Sequence, residues 1–357
     1  MLKALIAIVL TLILVVGIHE AGHALAALWF GVKIKRVAIG FGKPLVKLHD
    51  ASNREWVWGL WPLGGYVQLL NSRIEPVSPE DLPACFDKKA VWVRLVILCS
   101  GALANALLAY FALTLFYMTG FKHQLPLIKA VSPQSIAASA GLKAKDRILA
   151  INNSPIPSWQ ESGVVLLMSL GKAEVPLQVQ DAEGTIRQLN LPLSQWHYKN
   201  TDKSLLQALG IEPVPAAQST VVVKGESFVK ASNRAFFKGL QLLYFFMVMI
   251  KLLFTGLIPF ALLLGPLAFL AASVGSFLQG FVVFMYFIAS VSLAVAFTNL
   301  LPLPGLDGGS IVFALVEKLR GKPVSIALEL LLYRLAFIVF IVLTIQLVMH
   351  DLTRYFF

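Results

Sequence analysis

His19-Glu20-Ala21-Gly22-His23 puts two imidazoles and a carboxylate within five consecutive residues. On a helix, positions four apart lie about 40° apart around the axis, so His19 and His23 project from one face and can share a metal ion. Glu20, one position on, is placed to take a proton from a water on that metal. Two histidines leave a catalytic zinc site one ligand short, because such sites normally combine three protein ligands with an open position. The run Asn299-Leu300-Leu301-Pro302-Leu303-Pro304-Gly305-Leu306-Asp307-Gly308-Gly309 holds the sole acidic residue between Lys251 and Val316. Asp307 is therefore the candidate third ligand, although Asp-Gly-Gly taken alone reads more readily as a turn at a helix end.

The elements that must position these groups are set by composition. Of 357 residues, 57% are hydrophobic and 14% charged, against about 25% charged in an ordinary soluble protein, which excludes a single soluble domain. The net charge of +11 would suggest nucleic acid as partner in a soluble protein. No polybasic run supports that, and in a membrane protein basic residues mark cytoplasmic loops. Cys85 and Cys99 form no CxxC pair and read as free thiols.

A spanning helix needs roughly 20 apolar residues. Ala4 to Val32 qualifies, with His19, Glu20 and His23 as its only ionisable groups. Lys3 and Ala24-Leu25-Ala26 also fit a signal peptide, but apolar residues continue past that cleavage-like triplet. Leu95 to Phe121 and Leu330 to Met349 give two more spans. The stretch Leu252 to Leu306 carries no charged residue and is broken early by Pro259 and Gly265-Pro266. We therefore expect a span over Gly280 to Leu301 and an interfacial or re-entrant segment over Leu240 to Val274. Basic residues in Val32 to Lys89 and in Glu317 to Pro323 assign both loops to the cytoplasm, and put the long region after the second span on the opposite side. Ionisable groups within a span cost a few kcal/mol each and are functional by default.

The cytoplasmic loop has β-branched and aromatic runs at Val37 to Leu48, Glu55 to Trp61 and Tyr66 to Leu70, with glycine turns at Gly40-Phe41-Gly42 and Gly64-Gly65. Trp56, Trp58, Trp61 and Tyr66 suit the membrane interface, so a small membrane-associated sheet is expected. Across the membrane, Ala138-Ser139-Ala140-Gly141-Leu142 precedes Asp146-Arg147-Ile148-Leu149-Ala150-Ile151-Asn152. This succession of short helix, turn and strand resembles the PDZ domain of bacterial proteases, with Lys145 where that pattern usually has glycine. Such a domain can bind an extended peptide or carboxy-terminus by strand addition, or serve only as spacer or gate. The expected organisation is 1–122, two spans with the HExxH motif and the β-loop; 123–193, the PDZ-like domain; 194–239, a linker; 240–274, the interfacial or re-entrant segment; and 275–357, spans three and four.

Taken together, HExGH in the first span, a PDZ-like insert and NxxPxPxxDG after the third span closely resemble the site-2 protease family of intramembrane zinc metalloproteases, in the class that includes the regulator of sigma-E protease. Gly40-Phe41-Gly42, Pro62-Leu63-Gly64-Gly65-Tyr66-Val67 and Gly265-Pro266 extend the likeness over nearly the whole chain. The resemblance implies an α-helical polytopic fold with about four transmembrane helices, a small membrane-associated β-sheet and one inserted α+β PDZ-like domain. It implies zinc on His19, His23 and Asp307, with Glu20 as catalytic base. Gly101-Ala102-Leu103-Ala104-Asn105 stands at the family's GPxxN motif with alanine for proline. Asn105 and Asn299 would then hydrogen-bond substrate backbone, although each reads equally as glue between helices. The implied setting is the bacterial inner membrane, with the PDZ-like domain periplasmic and the active site toward the cytoplasm. The implied substrate is a single-pass membrane protein, such as an anti-sigma factor or a remnant signal peptide. Two other readings of the same residues are a proton-coupled transporter and a noncatalytic PDZ-bearing scaffold.

Overall fold

The computed structural model describes residues 1–50, 54–196, 204–260 and 263–356. Residues 197–203, in the stretch expected as a linker, and 261–262, in the expected interfacial segment, lie outside the described residues. The longer helices are α1 (Leu2–Trp29), α2 (Val91–Thr119), α3 (Trp159–Met168), α4 (Phe228–Phe254), α5 (Pro266–Leu278), α6 (Phe281–Asn299), α7 (Asp307–Arg320) and α8 (Ile326–Phe356). The chain divides into two compact units, one of Met1–Phe116, Phe228–Leu243 and Leu264–Phe357, the other of Tyr117–Ser227 and Tyr244–Leu263.

Among the described residues, five helices are long and apolar enough to cross a membrane: α1, α2, α4, α6 and the Ile326–Thr353 part of α8. The sequence led us to expect about four. The added candidate, α4, takes in the end of the expected linker and the start of the expected interfacial segment. Its first half hides in the sequence because Lys230, Arg234 and Lys238 interrupt the apolar run. Spaced four apart, these charges form one stripe of an amphipathic helix rather than a break in it.

In the first unit, α1 changes winding midway, with a π-helical turn over Ile13–Gly17 just before the histidine motif. Such turns occur often at functional sites, because the extra residue re-aims every side chain that follows. Val15 of this turn is buried with Phe284 and Ile288 of α6. Thr11 and Ser273 of α5 share a hydrogen bond of 2.8 Å between their hydroxyls. Strands β1 (Ile34–His49) and β2 (Glu55–Leu69) form the expected small sheet. Arg36 lies opposite both Gln68 and Glu55, and Ile39 opposite both Gly65 and Trp58, so each long strand bends back on the other. The bends fall at Gly40, Gly42 and Gly64, whose φ values of 86°, 88° and 96° would strain a residue with a side chain.

The second unit holds an antiparallel sheet ordered β6-β5-β7-β8, built from β5 (Arg147–Ile151), β6 (Ser154–Pro155), β7 (Val175–Gln180) and β8 (Ile186–Leu191). Two further pairs join β3 (Phe121–Gln124) to β10 (Thr220–Val223) and β4 (Ile128–Val131) to β9 (Ile211–Pro213). Ile128, Ile148, Val165, Leu177 and Leu191 belong to one buried core together with Leu209, Ile211, Leu252 and Ile258. The stretch 194–239 therefore contributes strands and core residues where the sequence suggested a linker. Its polar turns concealed Leu209 and Ile211, whose burial depends on partners far away in the chain. At the turn before β5, Lys145 adopts φ +71°, the left-handed conformation that glycine would occupy without cost. Asp146 holds the turn by accepting the Lys143 N–H at 2.9 Å and both hydrogen bonds of 2.6 Å from Arg187.

Candidate metal centre

Helices α1 and α2 approach closely where glycines face them. A Cβ on Gly22 would lie 2.5 Å from the Ser100 carbonyl oxygen and 2.8 Å from the Ala104 side chain. A Cβ on Gly101 would lie 2.3 Å from His23 Nε2 and 2.8 Å from His19 Cε1. Small residues on both helices thus let the backbones meet, which is how helices associate in lipid without a hydrophobic driving force. The space at Gly101 is the space the imidazoles fill.

Asp307 arrives from the first turn of α7. Asp-Gly-Gly taken in isolation reads as a turn at a helix end, whereas here the three residues begin a helix, after Leu306 in extended conformation. The glycines are needed because the loop before them folds back. A Cβ on Gly308 would meet the Leu301 carbonyl at 2.2 Å, and one on Gly309 the Leu303 carbonyl at 2.3 Å. Helix α7 is tied to α2 by a bidentate ion pair, in which Arg94 donates to the two Glu317 oxygens at 2.9 and 2.7 Å. Arg94 is buried and the pair is two-pronged, so it fixes orientation as well as distance. Single-sequence reading missed this pair, since its residues are 223 apart.

These elements bring together three of the residues that the sequence singled out. His19 Nε2 lies 3.2 Å from Asp307 Oδ2, His23 Nε2 lies 3.1 Å from the same oxygen, and the two Nε2 atoms are 3.2 Å apart. Among the described residues this is the one group of three His, Cys, Asp or Glu whose ligand atoms converge, all within 4.8 Å. Tetrahedral zinc with bonds of 2.0–2.1 Å separates its ligands by about 3.3 Å, so the triangle matches three corners of such a site. Without a cation, at most one of the facing Nε2 atoms can donate to the other. With one, all three lone pairs point at a shared positive charge. The His23 Nδ1–H donates to the Ile97 carbonyl at 2.8 Å, which selects the tautomer whose Nε2 is free to bind metal. The residues present fit zinc.

Glu20 is buried in α1 beside His19, with a relative exposure of 7%. The sheet reaches it: a Cβ on Gly65 would lie 3.0 Å from Glu20 Cγ and 2.7 Å from the Ala38 carbonyl. Asn105 is fully buried, with Nδ2 at 3.4 Å from His19 Nδ1. Asn299 is half-buried at the last residue of α6. The sequence did not single out Asp351 of α8. Its carboxylate is buried and accepts the Gly265, Leu267 and Ala268 N–H groups at 3.2, 2.9 and 2.9 Å, capping the start of α5.

Comparison with known proteins gives the family. A family model described as peptidase family M50 matches residues 7–343. The chain is 27% identical to "Regulator of sigma E protease" of Haemophilus influenzae, over 97% of this chain and 98% of that protein. It is 26% identical to "Protease RseP" of Yersinia pestis, over 99% of each. Identity to "Putative zinc metalloprotease PM1991" of Pasteurella multocida is 26%, over 92% of this chain and 93% of the relative. The Yersinia match runs over 446 residues, more than the 357 of this chain, so that relative carries stretches without counterpart here.

Proposed function

The chain belongs to peptidase family M50, and from that membership we propose a zinc endopeptidase that hydrolyses a peptide bond in or beside the transmembrane segment of a single-pass membrane protein. The observation that carries this reading is the triangle of His19, His23 and Asp307 with Glu20 beside it, in a helix apolar enough to span a bilayer. His19, His23 and Asp307 would hold the metal. Bound zinc supplies Lewis acidity, drawing charge from a carbonyl oxygen and lowering the pKa of a water toward about 7. Glu20 takes the proton of the attacking water and returns it to the leaving amine. Asp307, carrying negative charge between two imidazoles, offsets the positive charge that the buried site must accommodate.

A substrate helix hides its own peptide bonds, so it must unwind before it can be cut. The β1–β2 sheet offers strand edges to hold it extended, and its approach to Glu20 at Gly65 puts that support beside the base. Asn299, at the end of α6, has an amide suited to substrate backbone. Residues 123–193 are read as the PDZ-like domain, either gating access or binding a peptide end. Two relatives are named as regulators of sigma E or as RseP, which supports a substrate such as a membrane-anchored anti-sigma factor.

The site also constrains topology. His19 and His23 lie toward the C-terminal end of α1, and Asp307 follows the C-terminal end of α6. They meet only if α1 and α6 run in the same direction through the bilayer, with one crossing, α2, between them. Helix α5, 13 residues long, extends about 20 Å and falls short of the roughly 30 Å hydrocarbon core. If α4 crossed, α5 could not bring the chain back, and Asp307 would end on the wrong side. We therefore read α4 as lying along the interface with its Lys230, Arg234 and Lys238 stripe toward headgroups and water, and α5 as re-entrant. In this reading α1, α2, α6 and α8 are the spans, the metal centre faces the cytoplasmic side of a bacterial inner membrane, and residues 123–193 are periplasmic.

The test is cleavage of a model transmembrane substrate in proteoliposomes, with zinc measured on the same preparations. Wild type should carry about one zinc per chain and cut, Glu20→Gln should carry zinc and not cut, and His23→Ala should lose both. Equal cleavage by wild type and Glu20→Gln would reject the mechanism.

A further inference from the structure

We propose that Asn105 is a positioning residue for His19, accepting the His19 Nδ1–H through its side-chain oxygen and so holding Nε2 on the metal; this rests on the zinc reading above. Three residues of α2 spaced four apart, Ile97, Gly101 and Asn105, form one stripe facing the histidines. The Ile97 carbonyl accepts the His23 Nδ1–H at 2.8 Å. Gly101 leaves the room both rings occupy. Asn105 stands at His19, two turns along α2 from Ile97 and one turn back along α1 from His23, as antiparallel helices require. The stripe therefore has a carbonyl for one ligand histidine and an amide for the other.

The chemistry of the amide decides which end faces the ring. Asn105 is 0% exposed, and its Oδ1 is buried with no hydrogen-bond partner, while its Nδ2 lies 3.4 Å from His19 Nδ1. A histidine that binds metal through Nε2 carries its proton on Nδ1. With Nδ2 toward the ring, donor therefore meets donor and the acceptor stays idle. Turning the amide over exchanges two nearly isosteric atoms and gives Nδ1–H an oxygen to donate to. The backbone at this residue is fixed as well, since the Ser292 hydroxyl of α6 donates to the Asn105 carbonyl at 3.0 Å. Asn105 thus lies between the histidine helix and the helix that leads to Asp307, and its amide is directed at a ligand.

The test measures zinc affinity of the full-length protein in detergent by chelator competition, with the absorption spectrum of the cobalt-substituted protein as second readout. Asn105→Leu, which can neither accept nor donate, should weaken zinc binding ten- to a hundredfold, the usual range for losing such a partner, and should shift the cobalt bands. Asn105→Asp, an acceptor only, should keep wild-type affinity or exceed it. Unchanged affinity in Asn105→Leu overturns the proposal, and so does an equal loss in Asn105→Leu and Asn105→Asp, which would make the amide a donor. On the wild type, the spectrum of 15N-labelled histidine in the zinc-loaded protein should show His19 protonated at Nδ1. A bare Nδ1 there overturns the proposal even if no variant folds. A wild type that takes up no zinc removes the metal reading itself, a result separate from any of these.

Discussion

At the scale of single residues, the site depends as much on what is missing as on what is present. Gly101 contributes no side chain, and a methyl group there would overlap His23 Nε2 at 2.3 Å. Gly101→Ala should therefore lower zinc content sharply, because either the ring must swing out or α1 must retreat from α2. Zinc analysis beside circular dichroism separates the two outcomes, and full zinc loading in Gly101→Ala would contradict the placement of the rings. Glu20→Gln keeps the volume and removes the proposed base, so hydrolysis should fall at least about a hundredfold, the low end of what general acid–base catalysis contributes, with zinc unchanged. At Lys145, the left-handed backbone costs an ordinary residue about 1–2 kcal/mol, while glycine returns roughly 0.5–1 kcal/mol of that through its freer unfolded chain. Lys145→Gly should leave the second unit slightly more stable, by up to about 1 kcal/mol, read as a higher thermal midpoint. A lower midpoint would mean that the lysine side chain makes a compensating contact.

At the scale of elements, two attachments hold short pieces to long ones. Asp351 on α8 supplies an acceptor to three N–H groups at the start of α5, which has no cap of its own. A buried donor left without its acceptor costs about 1–3 kcal/mol. Asp351→Ala should thus loosen α5 and lower the unfolding midpoint in detergent, whereas Asp351→Asn, which keeps an oxygen, should lose less. Equal midpoints for wild type and Asp351→Ala would show the cap to be idle. In the β1–β2 sheet, Lys47 and Arg36 hydrogen-bond to Glu55 and hold its carboxyl down at about 2, against an ordinary value of 4.5. A depressed acid stabilises above its unfolded pKa and loses that contribution as pH falls through the folded one. The sheet should therefore loosen progressively from about pH 4.5 toward 2. Because these side chains are partly open to solvent, the effect is modest. Fluorescence of the nearby tryptophans Trp56 and Trp58 can follow it, and Glu55→Gln should lack that acid limb.

At the scale of the whole molecule, the proposed metal centre would fix direction through the bilayer. Cysteines introduced at the ends of α4 should both react with an impermeant reagent from the same side of the membrane, because the meeting of His23 and Asp307 leaves no room for an extra crossing. Labelling of the two ends from opposite faces would refute that topology. The sequence by itself made the candidate chemistry legible: ionisable groups are rare in so apolar a chain, and HExxH carries its geometry in the 3.6-residue repeat of one helix. It determined the small sheet too, since glycine turns between aromatic runs are local signals. It did not determine α4, because a stripe of three basic residues reads as an interruption until the helix is wound. It did not show how Asp-Gly-Gly is folded, because only the crowding of Leu300 to Leu303 against Gly308 and Gly309 makes these residues the start of α7. The partners of His23, His19 and Glu317, at separations of 74, 86 and 223 residues, were likewise decided by tertiary structure. Local periodicity states which face a side chain takes, and only packing states what that face meets.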